Sequence, residues 1–344
     1  MGYDHRGYVL SDSVTYSAPT RIDLAGGTLD IWPVGLLVPR AATVNAAISL
    51  RARATVAPSP RYRVVNSQRG IDLSCSSPDP FFRRPFAALA GRLLEFFRPH
   101  RPAEIRFETT APPGSGLGGS SSLGMAIAGA LNEALGAGWT IPQLVRIVMD
   151  AEVRILRTAT GSQDQFAAGL GGTRVHHWVS PEPRSESLPW MDDGADPLDD
   201  RFVLVYTGEA HSSADPNGSV LERIFAGEPT AVRGIEVIAE AAYGMRDALL
   251  QRDWDGVSEM LDVEWGARRA LSEMVTTATI EHLSDVMRQA GARAVKACGA
   301  GGGGTIIAIA PPGKRPAVVA AARAAGGEVL EAASDPVGLR REPS

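Results

Sequence analysis

Pro112-Pro113-Gly114-Ser115-Gly116-Leu117-Gly118-Gly119-Ser120-Ser121-Ser122 is the stretch on which the reading of this chain turns. Its alternating glycines let successive backbone N–H groups turn inward around an anion. The apolar run behind it predicts a helix over about 120–135, whose N-terminus brings partial positive charge to the same spot. The serines at the start of that helix can cap it, bind phosphate oxygens or ligate Mg²⁺. On physical grounds the segment is a phosphate cradle. It is not a Walker A loop, because Gly-Lys-Ser/Thr is missing and the only lysines of the chain are Lys296 and Lys314. It matches G-x-G-x-x-G at Gly114, Gly116 and Gly119, yet the Pro-Pro pair disturbs the tight strand-to-helix turn a dinucleotide fold needs. A Ser-capped helix after a flexible loop is the plainer alternative. It accounts less well for four glycines and a run of three serines within residues 114–122.

Working outward, residues 14–25 alternate loosely and end in Ala25-Gly26-Gly27, a strand running into a tight turn. Val44 to Val56 reads as a half-buried strand, and Tyr62–Val65 with Ile71–Cys75 as a hairpin around Gln68-Arg69-Gly70. Phe86, Leu89, Ala90, Leu93, Leu94 and Phe97 follow helical spacing. Ile105–Thr109 is a short strand. Thr140-Ile141-Pro142-Gln143 is a capping box that opens a helix with Leu144, Val145, Val148 and Ile155 inward. Thr173 to Val179 reads as a strand.

Residues 180–200 have no period and are expected to connect two domains. The five aspartates from Asp192 to Asp200 lack the fixed spacing of a calcium loop and read as a solvated segment. Beyond them, strand Phe202–Thr207 precedes helices near 230–251, 254–272 and 279–291. The Gly-rich run 299–304 leads into strand Thr305–Ala310, then a helix at 314–325 and a strand at 327–332. The residues after Ser334 are expected to fray.

Composition narrows the function classes. The 344 residues are 44% hydrophobic and 21% charged, which is globular, and the length favours two domains. These are expected at 1–190 and 200–335, with a tail at 336–344. A net charge of −5 argues against a nucleic-acid partner. Cys75 and Cys298 alone form neither a disulfide framework nor a Cys-rich zinc site, and they fit a reducing cytoplasm. Met1 to Leu10 lacks the apolar core of a signal peptide, and Arg6 stands where a myristoylation site wants Ser or Thr. No membrane partner is expected, since no run reaches the ~20 apolar residues of a spanning helix. His176 and His177 alternate across a strand and cannot share a metal. His211 reads as a loop residue.

At this point the sequence resembles the GHMP kinases, whose phosphate loop reads Pro-x-Gly-x-Gly-Leu-Gly-Ser-Ser. Pro113 to Ser121 is similar to it, Ser17-Ala18-Pro19-Thr20-Arg21 to the N-terminal motif, and Gly299-Ala300-Gly301-Gly302-Gly303-Gly304 to the C-terminal one. Three matches in order bracket most of the chain. A narrower resemblance, to the heptose-7-phosphate kinase and fucokinase branch, rests on further segments. They are Ala25 to Asp30, Val44-Asn45-Ala46-Ala47-Ile48-Ser49, Gln163-Asp164-Gln165-Phe166-Ala167-Ala168, and Glu264-Trp265 followed by Arg268-Arg269-Ala270-Leu271. Thr28 and Leu29 depart from the branch, which usually has Gly and Thr there.

The resemblance implies an α+β, two-domain GHMP kinase fold with the active site in an inter-domain cleft. It implies ATP and Mg²⁺ as cofactors. ATP would contact Pro113, Gly114, Ser115, Gly116, Leu117, Gly118, Gly119, Ser120 and Ser121. Asp164 stands at the catalytic aspartate, where a carboxylate can take a hydroxyl proton; the plain alternative is a cap of the 165–169 helix. Arg21 stands at the catalytic Arg/Lys and could stabilise the transferring phosphoryl; the alternative is a surface ion pair. Ser120, with Ser121 as the fallback, and Glu152 match the metal ligands, although Glu152 also reads as part of a solvated helix face. Asp30, Gly301 and Gly302 match acceptor-binding positions, Asp30 being otherwise a turn residue before Trp32-Pro33.

The expected activity is transfer of the γ-phosphoryl of MgATP to a hydroxyl, the anomeric one included, of a hexose, heptose or sugar phosphate. The resemblance leaves room for a homodimer. Three rivals remain at this stage: a kinase for a non-sugar alcohol such as homoserine or mevalonate, a dinucleotide-dependent oxidoreductase, and a non-catalytic ligand-binding protein.

Overall fold

The computed structural model describes residues 12–179, 182–188, 200–210 and 214–343. Most of the 180–200 segment, the N-terminal residues up to 11, and His211 lie outside them. In chain order the first half runs β1 (Val14–Ala25), β2 (Ala42–Pro58), β3 (Tyr62–Asn66), β4 (Ile71–Cys75), α1 (Ala88–Phe97), β5 (Ala103–Thr109), α2 (Gly119–Ala134), α3 (Ile141–Leu156), α4 (Gln163–Leu170), β6 (Thr173–His177) and β7 (Arg184–Ser187). The second half runs β8 (Phe202–Tyr206), α5 (Ala214–Phe225), α6 (Pro229–Gln251), α7 (Trp254–Leu271), α8 (Ala278–Gln289), β9 (Ala294–Ala297), β10 (Thr305–Ile309), α9 (Arg315–Ala324), β11 (Glu328–Leu330) and β12 (Arg340–Arg341).

The strands form two sheets. One has the order β12-β1-β2-β5-β3-β4, with β6 beside β2 and β7 beside β6; the other has the order β11-β8-β10-β9. The long β2 pairs with β1 along one edge and is shared by two strands along the other. Ala42–Ala46 pairs with β6, and Ala52–Pro58 pairs with β5. Helices α1 to α3 pack their apolar faces on the first sheet, with Leu93, Met125, Ile127, Leu131 and Val148 fully buried against Val56 and Ile105. A second cluster joins the two halves. Ile22, Leu24, Val44 and Ala46 of the first sheet pack with Phe202, Leu204, Met245, Leu261 and Ile307 of the second half. Each of these side chains except Ala46 contributes roughly 1.5–3 kcal/mol on burial, so the halves are joined by a core as well as by chain. The α+β expectation holds.

The structure corrects two expectations. Residues after Ser334 do not fray. The N–H of Gly172 donates to Asp335 O (2.7 Å), that of Leu339 to Gly169 O (3.2 Å) and that of Glu342 to Thr15 O (2.8 Å), while β12 pairs with β1. Arg51 secures this strap, donating to Asp335 Oδ2 (2.5 Å), Gly338 O (2.7 Å) and Ser17 Oγ (2.8 Å). The segment has no apolar period because an edge strand, an arginine and the single side chain of Leu339, packed on the first core, hold it. The 180–200 region also contains β7, a polar strand whose register, Arg174↔Ser187 to His177↔Arg184, is set by β6. Helix α5 was not anticipated either. The two histidines do separate: His176 is buried and meets Asn45 and Ser185, whereas His177 meets Tyr243 and Glu186.

Candidate active site

The 113–121 loop closes onto the N-terminus of α2. Gly114, Gly116 and Gly118 have φ of 65°, 73° and 74°, the left-handed region open to glycine, so the backbone curls as a phosphate cradle must. Gly118 is the N-cap, so no serine caps this helix. The first backbone bond of the helix runs from Ser122 N–H to Gly118 O (2.9 Å). The N–H groups of Gly119, Ser120 and Ser121 therefore have no intrahelical acceptor, the usual condition of an anion site.

The three serines divide their work. Ser122 Oγ donates to Pro19 O (2.6 Å), tying the loop to β1. Ser121 Oγ donates to the carboxylate of Glu152 (3.0 and 3.1 Å). Ser120 is exposed at the helix mouth, and its hydroxyl also acts on Glu152. Glu152 is buried on α3 rather than solvated, and Gln165 donates to it from α4 (2.5 Å). Burial raises its carboxyl to about 7, with the charge of Asp164 adding and the Ser120, Ser121 and Gln165 donors opposing. A buried carboxyl oxygen beside a hydroxyl fits Mg²⁺, which binds few protein oxygens and completes its shell with phosphates and water.

Arg21 and Asp164 meet under the loop. Arg21 Nε and Nη2 approach Asp164 Oδ1 at 2.8 and 2.7 Å, and Nη1 donates to Gly116 O at 2.7 Å. This is no surface pair: the Arg21 side chain is 4% exposed. Burial lowers its pKa, but the charges of Asp164 and Asp23 outweigh that and raise it. Asp164 lies in the first turn of α4, whose N-cap is Ser162, so it is not the cap. Its Oδ2 faces Gly118, where an added Cβ would stand 3.1 Å away.

Asp30 is buried against α4. It accepts from the N–H of Gln163 (3.1 Å), and a Cβ on Gly161 would strike its Oδ2 at 1.6 Å. Burial pushes its carboxyl up to about 6; the Gln163 bond opposes this and the charge of Asp164 adds to it. The carbonyl of Gln163 accepts from Asn45 Nδ2 (3.3 Å), and Asn45 Oδ1 meets His176 Nε2 (3.2 Å). That network assigns the proton to Nε2, since Asn45 Oδ1 can only accept. Burial, with Arg174 and His177, pulls His176 down to about 3, in keeping with a neutral ring. The backbone beside Asp164 is thus held on both sides. Thr28, one of the departures from the branch, has φ 79°, an outlier for a β-branched residue on the loop that carries Asp30.

The C-terminal glycine run abuts the phosphate loop. A Cβ on Gly299 would stand 2.6 Å from Gly116 O, and Thr305 N–H donates to Ser115 O at 2.8 Å. Gly302 N–H donates to Val275 O (2.7 Å), so it is not a free donor, and Gly301 packs against the same carbonyl, where an added Cβ has no room. Sequence reasoning missed Asp23 and gave Lys296 no part in the site. Asp23 accepts from Gly299 N–H (2.9 Å) and meets Lys296 Nζ (3.2 Å) and Arg268 Nη1 (3.3 Å). The rarity of lysine, two in the whole chain, was the available signal. Among the described residues no group of three or more His, Cys, Asp and Glu side chains could hold a metal on its own.

A two-sheet α+β architecture, a glycine cradle on a helix N-terminus and an Arg–Asp pair beneath it define a small-molecule kinase of the kind that lacks a Walker A lysine. The GHMP kinases N terminal domain family matches residues 86–172, and the GHMP kinases C terminal family matches residues 245–328. The chain belongs to the GHMP kinases. It is 23% identical to D-glycero-alpha-D-manno-heptose 7-phosphate kinase of Campylobacter jejuni, over 84% of this chain and 87% of that one. It is 25% identical to L-fucokinase/L-fucose-1-P guanylyltransferase of Bacteroides fragilis over 86% of this chain, which spans 34% of that longer protein. The fold is shared with a D-glycero-D-manno-heptose 1-phosphate kinase from Bacteroides thetaiotaomicron, with TM-score 0.77, 24% identity, and coverage of 96% of this chain and 99% of that one. Among the described residues no helix is long and apolar enough to cross a membrane.

Proposed function

We propose that the chain is a cytoplasmic, ATP- and Mg²⁺-dependent sugar kinase that phosphorylates a hydroxyl of a hexose, a heptose or a sugar phosphate. The observation that carries this reading is the pair formed by buried Arg21 and partly exposed Asp164, set beneath the N-terminus of α2. The relatives named for heptose phosphate and fucose support the choice of a sugar acceptor.

The backbone N–H groups of the 113–121 loop bind the nucleotide phosphates. Asp164 accepts the acceptor's proton at Oδ2, the oxygen that Arg21 leaves free. As the hydroxyl oxygen bonds to the γ-phosphorus, the bond to the ADP oxygen breaks. Arg21 keeps Asp164 oriented and offsets the charge that develops on the transferring group. Ser120 and Glu152 would hold Mg²⁺. Bound there, the ion supplies neutralisation of the phosphate oxygens and a fixed orientation for the chain. Asp30 binds acceptor hydroxyls from the loop that also braces α4, and Gly301 and Gly302 leave room opposite.

An ADP-release screen of free sugars, sugar phosphates, homoserine and mevalonate tests the reading. Turnover is expected with a sugar or sugar phosphate, and Asp30→Ala should weaken that acceptor far more than ATP. Turnover with homoserine or mevalonate alone would remove the sugar assignment. Thermal protection by NAD(H) rather than MgATP would remove the kinase.

A further inference from the structure

Arg21 has two carboxylates to choose from. Asp164 lies across the cleft floor, and Asp23 lies two residues along β1, on the same face of the strand. In the structure Arg21 is paired to Asp164. Asp23 is instead occupied by Lys296, Arg268 and the N–H of Gly299. Behind it Glu264 of α7 stands 2.8 Å from Lys296 Nζ and 3.8 Å from Arg268 Nη1. The side chains of Asp23, Glu264 and Lys296 are all 0% exposed. The cluster, with Arg21 and Asp164, holds three cations and three carboxylates. Both Glu264 oxygens lack an aligned hydrogen-bond partner, so its contribution is charge rather than directed bonding.

Resting on the kinase reading above, we propose that Lys296 is a positioning residue. With Arg268 it saturates Asp23, so that Arg21 stays on Asp164 and under the phosphate loop. The physical reason is the low local dielectric. An uncompensated carboxylate on the next same-face position of the strand attracts a guanidinium strongly when no water screens it. Gly27 makes the arrangement possible, because a Cβ there would stand 2.5 Å from Arg268 Nη1. Lys296 comes from β9 and Glu264 and Arg268 from α7, so the second half of the chain sets the catalytic arginine of the first.

The test is a charge-balance cycle. Lys296→Met leaves Asp23 one cation short. Arg21 should turn towards Asp23 in its crystal structure, and kcat should fall about tenfold to a hundredfold with the KM for ATP within about threefold. Adding Asp23→Asn removes the competing charge and should raise kcat by about tenfold over the single variant, a non-additivity that mere loss of packing does not produce. A double variant no better than Lys296→Met, or Arg21 still on Asp164 in the single variant's crystal structure, overturns the proposal. Should Lys296→Met fail to fold, the neutral double variant decides: it folds and turns over, or the proposal falls. A wild-type protein that releases no ADP with any sugar refutes the kinase reading instead. The position of Arg21 in the Lys296→Met crystal is read without substrate and decides the present proposal separately.

Discussion

Arg21 and Asp164 are 143 residues apart in sequence and share a single carboxylate oxygen, Oδ1, which Arg21 Nε and Nη2 approach at 2.8 and 2.7 Å. The one-sided grip has a chemical consequence. The carboxylate is oriented and its charge balanced, while Oδ2 remains on the side of Gly118, where the phosphate loop meets α2.

Asp164→Asn keeps the shape and removes the basic oxygen. Turnover should drop by ~10²–10⁴-fold, the usual contribution of a general base, with MgATP still raising the unfolding temperature. A variant within a few-fold of wild type would reduce Asp164 to a structural partner of Arg21.

Gly299→Ala places a methyl where Gly116 O stands 2.6 Å away, at φ 70°. The phosphate loop must shift, so thermal protection by MgATP should be largely lost. Gly313→Ala is the control. It shares a positive φ (77°) but meets nothing within 4 Å, so it should cost about 1–2 kcal/mol of backbone strain and leave MgATP protection intact.

Asp30 makes stability pH-dependent. Its folded-state carboxyl is raised from 3.8 to about 6, chiefly by burial, so the native protein binds more protons than the unfolded chain between those values. Stability from this group is present below about pH 4 and is lost as pH rises towards 6. Asp30→Asn removes the effect. Its unfolding temperature relative to wild type should climb between pH 4 and pH 6 and then level off, by the equivalent of about 2–3 kcal/mol. A flat difference across that window would show that the carboxyl is not destabilised by burial.

Arg51→Met should release the C-terminal strap. The variant loses its bonds to Asp335, Gly338 and Ser17 and leaves the buried Asp335 carboxylate without its ion-pair partner. The expected loss is about 2–4 kcal/mol, seen as a lower urea midpoint, with faster trypsin cleavage at Arg340 and Arg341. Unchanged cleavage there would mean that β-pairing alone holds the strap.

The amino-acid sequence by itself determined the helices with a clear apolar period, α1 and α3, because spacing of 3.6 residues is a local property of the chain. It also determined the phosphate loop, since glycine and serine in that order carry their conformational and hydrogen-bonding consequences wherever the loop is placed. Arg21, Asp164, Ser120 and Glu152 were legible as candidates through their motifs. Their separate duties were not. Only the tertiary structure decided that Ser121 faces Glu152 and Ser122 faces Pro19, that Asp30 braces the start of α4, and that Asp23, Glu264, Arg268 and Lys296 form one buried cluster behind Arg21. It also decided that the polar segments 184–187 and 335–343 are ordered. The physical reason is common to all of these. An apolar residue declares its burial by its own chemistry, whereas a charged or polar residue is placed by a partner that can stand 325 positions away, as Glu342 does from Ser17. No local pattern records that partner until the chain has folded.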